Sequence, residues 1–218
     1  MQENWKNMSR KEVQGPIRDK EKSKLRFLNA VGKIIKSKGY QGLQVTKIAT
    51  VAGLDKKLIY RYYGSVDNLV NEYLKSKDYW SKISDVELSE IDLTDGGKEI
   101  SKLLLGNQFE YLKKNKELQK ILLWELSEPK SLLRKLADER ESLGEEMFVN
   151  ITDKHFMKNS KNYRAVMAIL ISSTYYLNMH AEVNGSNFCG LDFKNEEDRS
   201  LVQKTLEDLV DCAFEKYK

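Results

Sequence analysis

The chain is poor in residues that break or staple a fold. Its 218 residues include only two prolines, Pro16 and Pro129, and two cysteines, Cys189 and Cys212. Two cysteines so far apart do not make the disulfide framework of a small secreted domain and read as buried or idle thiols. Histidine is equally scarce. His155 and His180 lie 25 residues apart, with no carboxylate or nucleophile spaced to form a triad or a Cys–His pair. No G-x-x-x-x-G-K-[ST] or G-x-G-x-x-G loop exists to cradle phosphates, and no C-x-x-C or H-x-x-x-H unit to seat a metal. Neither an enzyme, a metal nor a cofactor is expected. No run of about 18 apolar residues occurs, so no membrane span is expected. The opening MQENWKNMSRKEVQG lacks the apolar segment of a secretion signal, and a cytoplasmic location is expected.

What the chain does have is charge, unevenly placed. The 37 Lys+Arg and 33 Asp+Glu leave a net charge of +4. Residues 1–64 hold fifteen bases and five acids, a net of +10, so the rest holds 22 bases and 28 acids, a net of −6. A basic N-terminal third on an acidic body suits a polyanion engaged by one module only.

Apolar spacing is helical nearly throughout. Leu25, Leu28, Val31 and Ile35 form one stripe, ended by Gly39. Val45, Ile48, Ala49 and Ala52 form a second. Gly53 then permits a turn, and Asp55 can accept hydrogen bonds from the first amides of a helix over 55–63. Ser65 is placed to cap a fourth helix, with Leu69, Val70, Tyr73 and Leu74 inward. DVELSEIDLTDGG, residues 85–97, carries five acids and no base and reads as a boundary between modules. Further helices are expected at 98–114, 117–127, 130–149, 162–183 and 195–216. Pro129 is read as opening one in its first turn and Asn195 as capping the last, with NGSNFCGLDFK as the loop before it.

Helix, glycine turn, helix is an arrangement that presents a second helix to the DNA major groove. At about 100° per residue, turning Ile59 and Tyr63 inward puts Lys57 and Arg61 outward, flanked by Leu58 and Tyr60. A tyrosine there can donate to a phosphate while its ring packs on the helix.

The run from Lys24 to Leu74 resembles the tetracycline-repressor (TetR) family of transcriptional regulators. It has an apolar helix ending in KGY, then Ile48, Ala49, Ala52 and Gly53 as the I-A-x-x-A-G turn. Ile59, Tyr60, Arg61, Tyr62 and Tyr63 stand in the L-Y-x-H-F signature. The resemblance implies an all-α fold, in which an N-terminal three-helix DNA-binding domain is joined by a fourth helix to a larger helical ligand-binding and dimerisation domain. The divisions expected are a basic arm over 1–19, a helix-turn-helix domain over 20–82 and a regulatory domain over 83–218. It further implies DNA contacts from Thr46, Lys47, Lys56, Lys57, Leu58, Tyr60, Arg61, Tyr62 and Ser65. Gln44 and Val66 depart from the family's usual Thr or Ser and Lys, which removes two phosphate contacts; Lys57 can supply compensating charge. The arm, with Arg10, Lys11, Arg18, Lys20, Lys22 and Lys24, can follow the backbone or enter the minor groove.

For the acidic remainder the family implies a dimer interface and a small-molecule pocket. AVMAILISSTYYLNM, residues 165–179, is apolar almost all round, as in a helix covered on two sides. With the last helix it can form a four-helix bundle with a second copy, through Ile169, Ser172, Ser173, Tyr176, Leu206, Leu209, Val210 and Ala213. Candidate effector contacts are Phe109, Tyr111, Trp124, Glu125, Tyr175, Tyr176 and His180. The resulting expectation is a ligand-responsive repressor binding double-stranded DNA at a palindromic operator as a homodimer. The rivals are a helical protein-binding adaptor, for which salt and DNA are irrelevant, and a small enzyme.

Overall fold

The computed structural model describes residues 16–78 and 93–217. The expectations for the first fifteen residues of the arm and for residues 85–92 of the acidic segment lie outside them. The chain divides into two compact units, the first ending at Val70 and the second starting at Asn71. That division falls inside a helix, and the expected boundary at 82/83 lies outside the described residues.

In the first unit, α1 (Pro16–Lys38) is followed by a 3-10 turn at Tyr40–Gly42, then α2 (Val45–Ala52) and α3 (Lys57–Tyr63). α4 (Val66–Lys77) carries the chain from this unit into the next. α1 begins at Pro16, so the last residues assigned to the arm, and Lys20, Lys22 and Lys24 after them, belong to a helix. The buried stripe of α1 is Phe27, Ala30, Val31, Ile34 and Ile35. Leu25 is 58% exposed, contrary to expectation. It precedes Phe27 by two residues, about 200° around the helix, and therefore faces away. Ile48, Ala49, Ala52, Ile59, Tyr63, Leu69 and Val70 complete this core.

The second unit adds α5 (Lys98–Lys114), α6 (Lys116–Ser127), α7 (Ser131–Met147), a short α8 (Asp153–Phe156), α9 (Ser160–Val183) and α10 (Glu196–Tyr217). α5 packs against α9 and α10, which also pack on each other. Asp95 closes the start of α5, its carboxylate accepting from Gly97 N at 2.8 Å and Glu99 N at 2.7 Å. Asn195 does the same for α10, accepting from Glu197 N and Asp198 N. Pro129 lies ahead of α7, whose N-cap is Lys130, rather than inside its first turn. The helix expected over 130–149 gives way at Phe148 to a π-turn running to Thr152. The loop before α10 contains a two-residue hairpin, Asn187–Phe188 with Leu191–Asp192, whose turn residues Cys189 and Gly190 both have positive φ, 53° and 79°. This is the turn sense that matches strand twist. Both cysteines are free and exposed.

α9 shows why the apolar pattern runs all round. Its covered side includes Tyr163, Met167 and Leu170 but also Thr174 and Asn178, while Ile169, Tyr176 and Val183 are exposed. Buried polar side chains here bond one another and the backbone: Gln108 Nε2 donates to Thr174 Oγ1 at 2.7 Å, and Asn178 Nδ2 donates to Thr174 O and Phe109 O. Arg199, 3% exposed, donates to Asn178 Oδ1 and to Glu110 Oε1, with its guanidinium 4.1 Å from the Phe109 ring centroid. A cation at this depth persists only because it is paired and hydrogen-bonded. No described helix is long and apolar enough to cross a membrane.

Candidate functional site

The first unit presents its polar chemistry at the α2–α3 turn. Gly53 ends α2 in the left-handed conformation, φ 63° and ψ 39°, and its amide bonds back to Thr50 O at 3.1 Å. Arg26 Nη2, from α1, donates to Gly53 O at 3.1 Å. A Cβ on residue 53 would lie 2.8 Å from that same nitrogen, so the long Arg26 side chain would have to move, while the positive φ is what the turn needs glycine for. Asp55 Oδ1 accepts from Lys57 N at 2.8 Å and starts α3.

From that start the helix turns as its spacing requires. Ile59 and Tyr63 are buried, with Tyr63 OH donating to Lys24 O at 2.9 Å and its ring meeting Phe27 edge-on at 6.4 Å. Lys56, Lys57, Tyr60 and Arg61 are exposed; Leu58 and Tyr62 are half-buried. Tyr60 is 52% exposed. Among the described residues no ion pair engages Lys56, Lys57 or Arg61. Two cations and a phenol on one short helix, with a third cation at its N-cap, form a face suited to phosphates.

α2 contributes beside it. Thr46 and Lys56 line one shallow surface recess with Thr50 and Gly53, so the starts of both helices open to the same space. Lys47 is half-buried, and its ammonium is held below its ordinary value by desolvation first and then by Lys38. A phosphate nearby would relieve that like-charge repulsion. Ser65 Oγ accepts from Asn68 N at 3.0 Å, capping α4. Gln44 makes no side-chain cap to α2.

The second unit holds a cavity of about 490 Å³, within the usual range for small-molecule sites. Leu104, Leu105 and Gln108 line it from α5; Leu122, Glu125 and Leu126 from α6; Ala137, Arg140, Glu141 and Glu145 from α7. Met147 at the end of α7 and Phe148, Ile151 and Thr152 of the π-turn extend it, and Arg164, Met167, Ile171, Tyr175 and Met179 line it from α9. Of the effector contacts expected from sequence, Glu125 and Tyr175 are here. The other five do not line it. Phe109 is fully buried beneath Arg199 and Trp124 is buried in the core, while Tyr111 OH donates to Lys77 O. Tyr176 and His180 pack with Phe188 of the hairpin, centroids 5.0–5.7 Å apart. Aromatic identity alone could not separate these roles.

Arg140 and Arg164 in the lining escaped sequence reasoning altogether. Arg140 Nε donates to Asp78 Oδ1 at 2.6 Å, and its Nη1 to both oxygens of Glu125 at 3.0 and 2.9 Å. Burial would lower this guanidinium's pKa, but Asp78 and Glu125 outweigh it and raise it. Glu125 therefore does hold a cation, one belonging to the chain itself. Arg164 is engaged by Asp153 and Glu145.

Of the dimer candidates, Ile169, Ser172, Tyr176 and Leu209 are exposed and Ser173 is half-buried. Leu206, Val210 and Ala213 belong to the unit's own core, packed with Phe214 and Leu170. They repeat at four- and three-residue steps, one stripe of α10, which α5 and α9 already cover. Among the described residues no group of three or more His, Cys, Asp or Glu could hold a metal ion.

Residues 28–73 match the family model described as bacterial regulatory proteins, tetR family. The fold is similar to that of the transcriptional regulator FadR from Bacillus subtilis, solved in complex with stearoyl-CoA. The TM-score is 0.59 at 18% identity, covering 85% of this chain and 96% of that one. A candidate tetR-family regulator from Mesorhizobium loti aligns over 91% of this chain and 96% of its own at 20% identity, with a TM-score of 0.40 that supports no argument. Among curated proteins, none matches closely enough to count as a relative.

Proposed function

We propose that this chain, a tetR-family DNA-binding transcriptional regulator by its N-terminal module, is a repressor that binds a palindromic operator as a homodimer and releases it in response to a small molecule. The observation that carries this is the cationic face of α3 and its N-cap, with Lys56, Lys57 and Arg61 exposed beside Tyr60 and without an ion pair among the described residues. Thr46 and Ser65 stand at the starts of the neighbouring helices, where hydroxyls and amides can reach the backbone.

Dimerisation is supported by the exposed apolar residues Ile169, Tyr176 and Leu209, which the unit's own core does not cover. One short recognition helix spans few base pairs; two related by a two-fold axis read both halves of a palindrome, roughly 34–36 Å apart. The cavity supports an effector site, and the stearoyl-CoA held by the FadR of similar fold supports the same reading. An effector acts by binding one conformation better than another, which by reciprocity changes DNA affinity.

Selection of bound fragments from random DNA, followed by salt titration, tests the proposal. The expected result is an inverted-repeat consensus, with log K falling linearly against log salt. Fragments without a consensus, or binding indifferent to salt, would favour a protein-binding adaptor instead.

A further inference from the structure

The cavity has an unusual charge pattern. Its lining contains Arg140 and Arg164 against Glu125, Glu141 and Glu145, with no lysine or histidine. Asp78 and Asp153, which do not line it, pair with those arginines. Among the described residues two cations thus stand with five carboxylates, of which Glu141 and Glu145 are exposed, and each arginine already bonds two of them. Glu141 has no ion-pair partner among the described residues. A carboxylate or phosphate entering here would add negative charge where no described lining residue offers a free cation, while losing its water.

Yet three buried polar atoms on lining residues have no partner among the described residues: Arg140 Nη2, Gln108 Oε1 and Thr152 Oγ1. The orientation of the Gln108 amide is settled by its neighbours. Thr174 donates its single hydroxyl proton to Ile171 O at 2.7 Å, so it must accept from Gln108 Nε2. The Gln108 oxygen, on a residue 1% exposed, is therefore the atom left over. Unmet groups at such depth are costly, and a ligand that meets them recovers that cost.

We infer that the cavity takes an uncharged, largely apolar molecule carrying a carbonyl-type acceptor for Arg140 Nη2 and an N–H or O–H donor for Gln108 Oε1, and that it rejects anions. This rests on reading the cavity as the effector site, and it names the chemical class that site selects. Leucine, isoleucine and methionine side chains supply the apolar walls, and the surplus carboxylates supply the discrimination against fatty acids and acyl-CoA thioesters.

The test is calorimetric titration of the full chain, without DNA, by decanamide, decanoate and decanoyl-CoA. Decanamide is expected to bind at least about tenfold more tightly than either anion. Gln108→Leu and Arg140→Lys, each checked for native circular dichroism, should each weaken decanamide by roughly tenfold, as loss of one buried hydrogen bond implies. Gln108→Leu leaves the ion pairs of Arg140 in place, so it remains informative if Arg140→Lys does not fold. Glu141→Gln should narrow the gap between decanoate and decanamide. Equal binding of decanoate or decanoyl-CoA, failure of decanamide to bind, or indifference of decanamide to Gln108→Leu overturns the inference. Because the readout is binding to protein alone, these outcomes are independent of whether the chain binds an operator.

Discussion

Asp78, buried to 2% exposure one residue past the end of α4, accepts a 2.6 Å hydrogen bond from Arg140 Nε across the second unit. Arg140 in turn lines the cavity and grips Glu125. The pair ties the end of α4 to the middle of α7. Removing one partner leaves the other charge buried, so Asp78→Ala should cost about 3 kcal/mol in urea unfolding. Replacing the whole cluster, Asp78→Ala with Arg140→Met and Glu125→Leu, should recover part of that loss, since no charge is then left without its partner. A cost under about 1 kcal/mol for the single change would show that Glu125 alone holds the guanidinium.

Gly53→Ala should destabilise the first unit by about 1–2 kcal/mol, because φ of 63° is unfavourable for an L side chain. The new Cβ would also press on Arg26 Nη2 at 2.8 Å and cost its bond to the turn carbonyl. Thermal unfolding of the variant measures this. An unchanged melting temperature would mean the turn relaxes freely.

Lys57→Ala should weaken DNA binding and reduce the magnitude of the salt slope by about 1, the signature of one lost phosphate contact. Lys204→Ala, which removes an exposed lysine 3.6 Å from Asp208 in the other unit, should do neither. Fluorescence anisotropy on a selected operator separates them. Equal effects would move the interface away from α3.

Tyr60→Phe should cost roughly 1 kcal/mol of operator affinity if its hydroxyl bonds a phosphate. The side chain is half exposed, so folding should be unaffected. Unchanged affinity would assign the ring to packing alone.

Ile169→Lys should yield a folded monomer in sedimentation equilibrium, since Ile169 is 68% exposed and its loss does not open the core. Val210→Lys should instead unfold the second unit, because Val210 is fully buried beside Leu206 and Phe214. A persistent dimer in the Ile169 variant would relocate the interface.

The helical spacing and the Gly53 turn are legible in the sequence because both are local. Period 3.6 sorts inward from outward residues, and only glycine sits easily at that φ. Ile59 and Tyr63 face in and Lys57 and Arg61 out for that reason alone. Leu25 departs from its expected stripe because one apolar residue beside a stripe does not reveal which edge a neighbour covers. The face of α10 is ambiguous in the same way: Leu206, Val210 and Ala213 serve the chain's own core.

The sequence by itself determined an all-helical chain with a basic helix-turn-helix module at its start, because propensity, periodicity and charge act over a few residues. Only the tertiary structure decided which carboxylates meet Arg140, Arg164 and Arg199, and which of many aromatics border the cavity. Those partners lie 11 to 89 residues apart in the chain. Burial makes such pairs strong, and burial is a property of packing that no local pattern encodes.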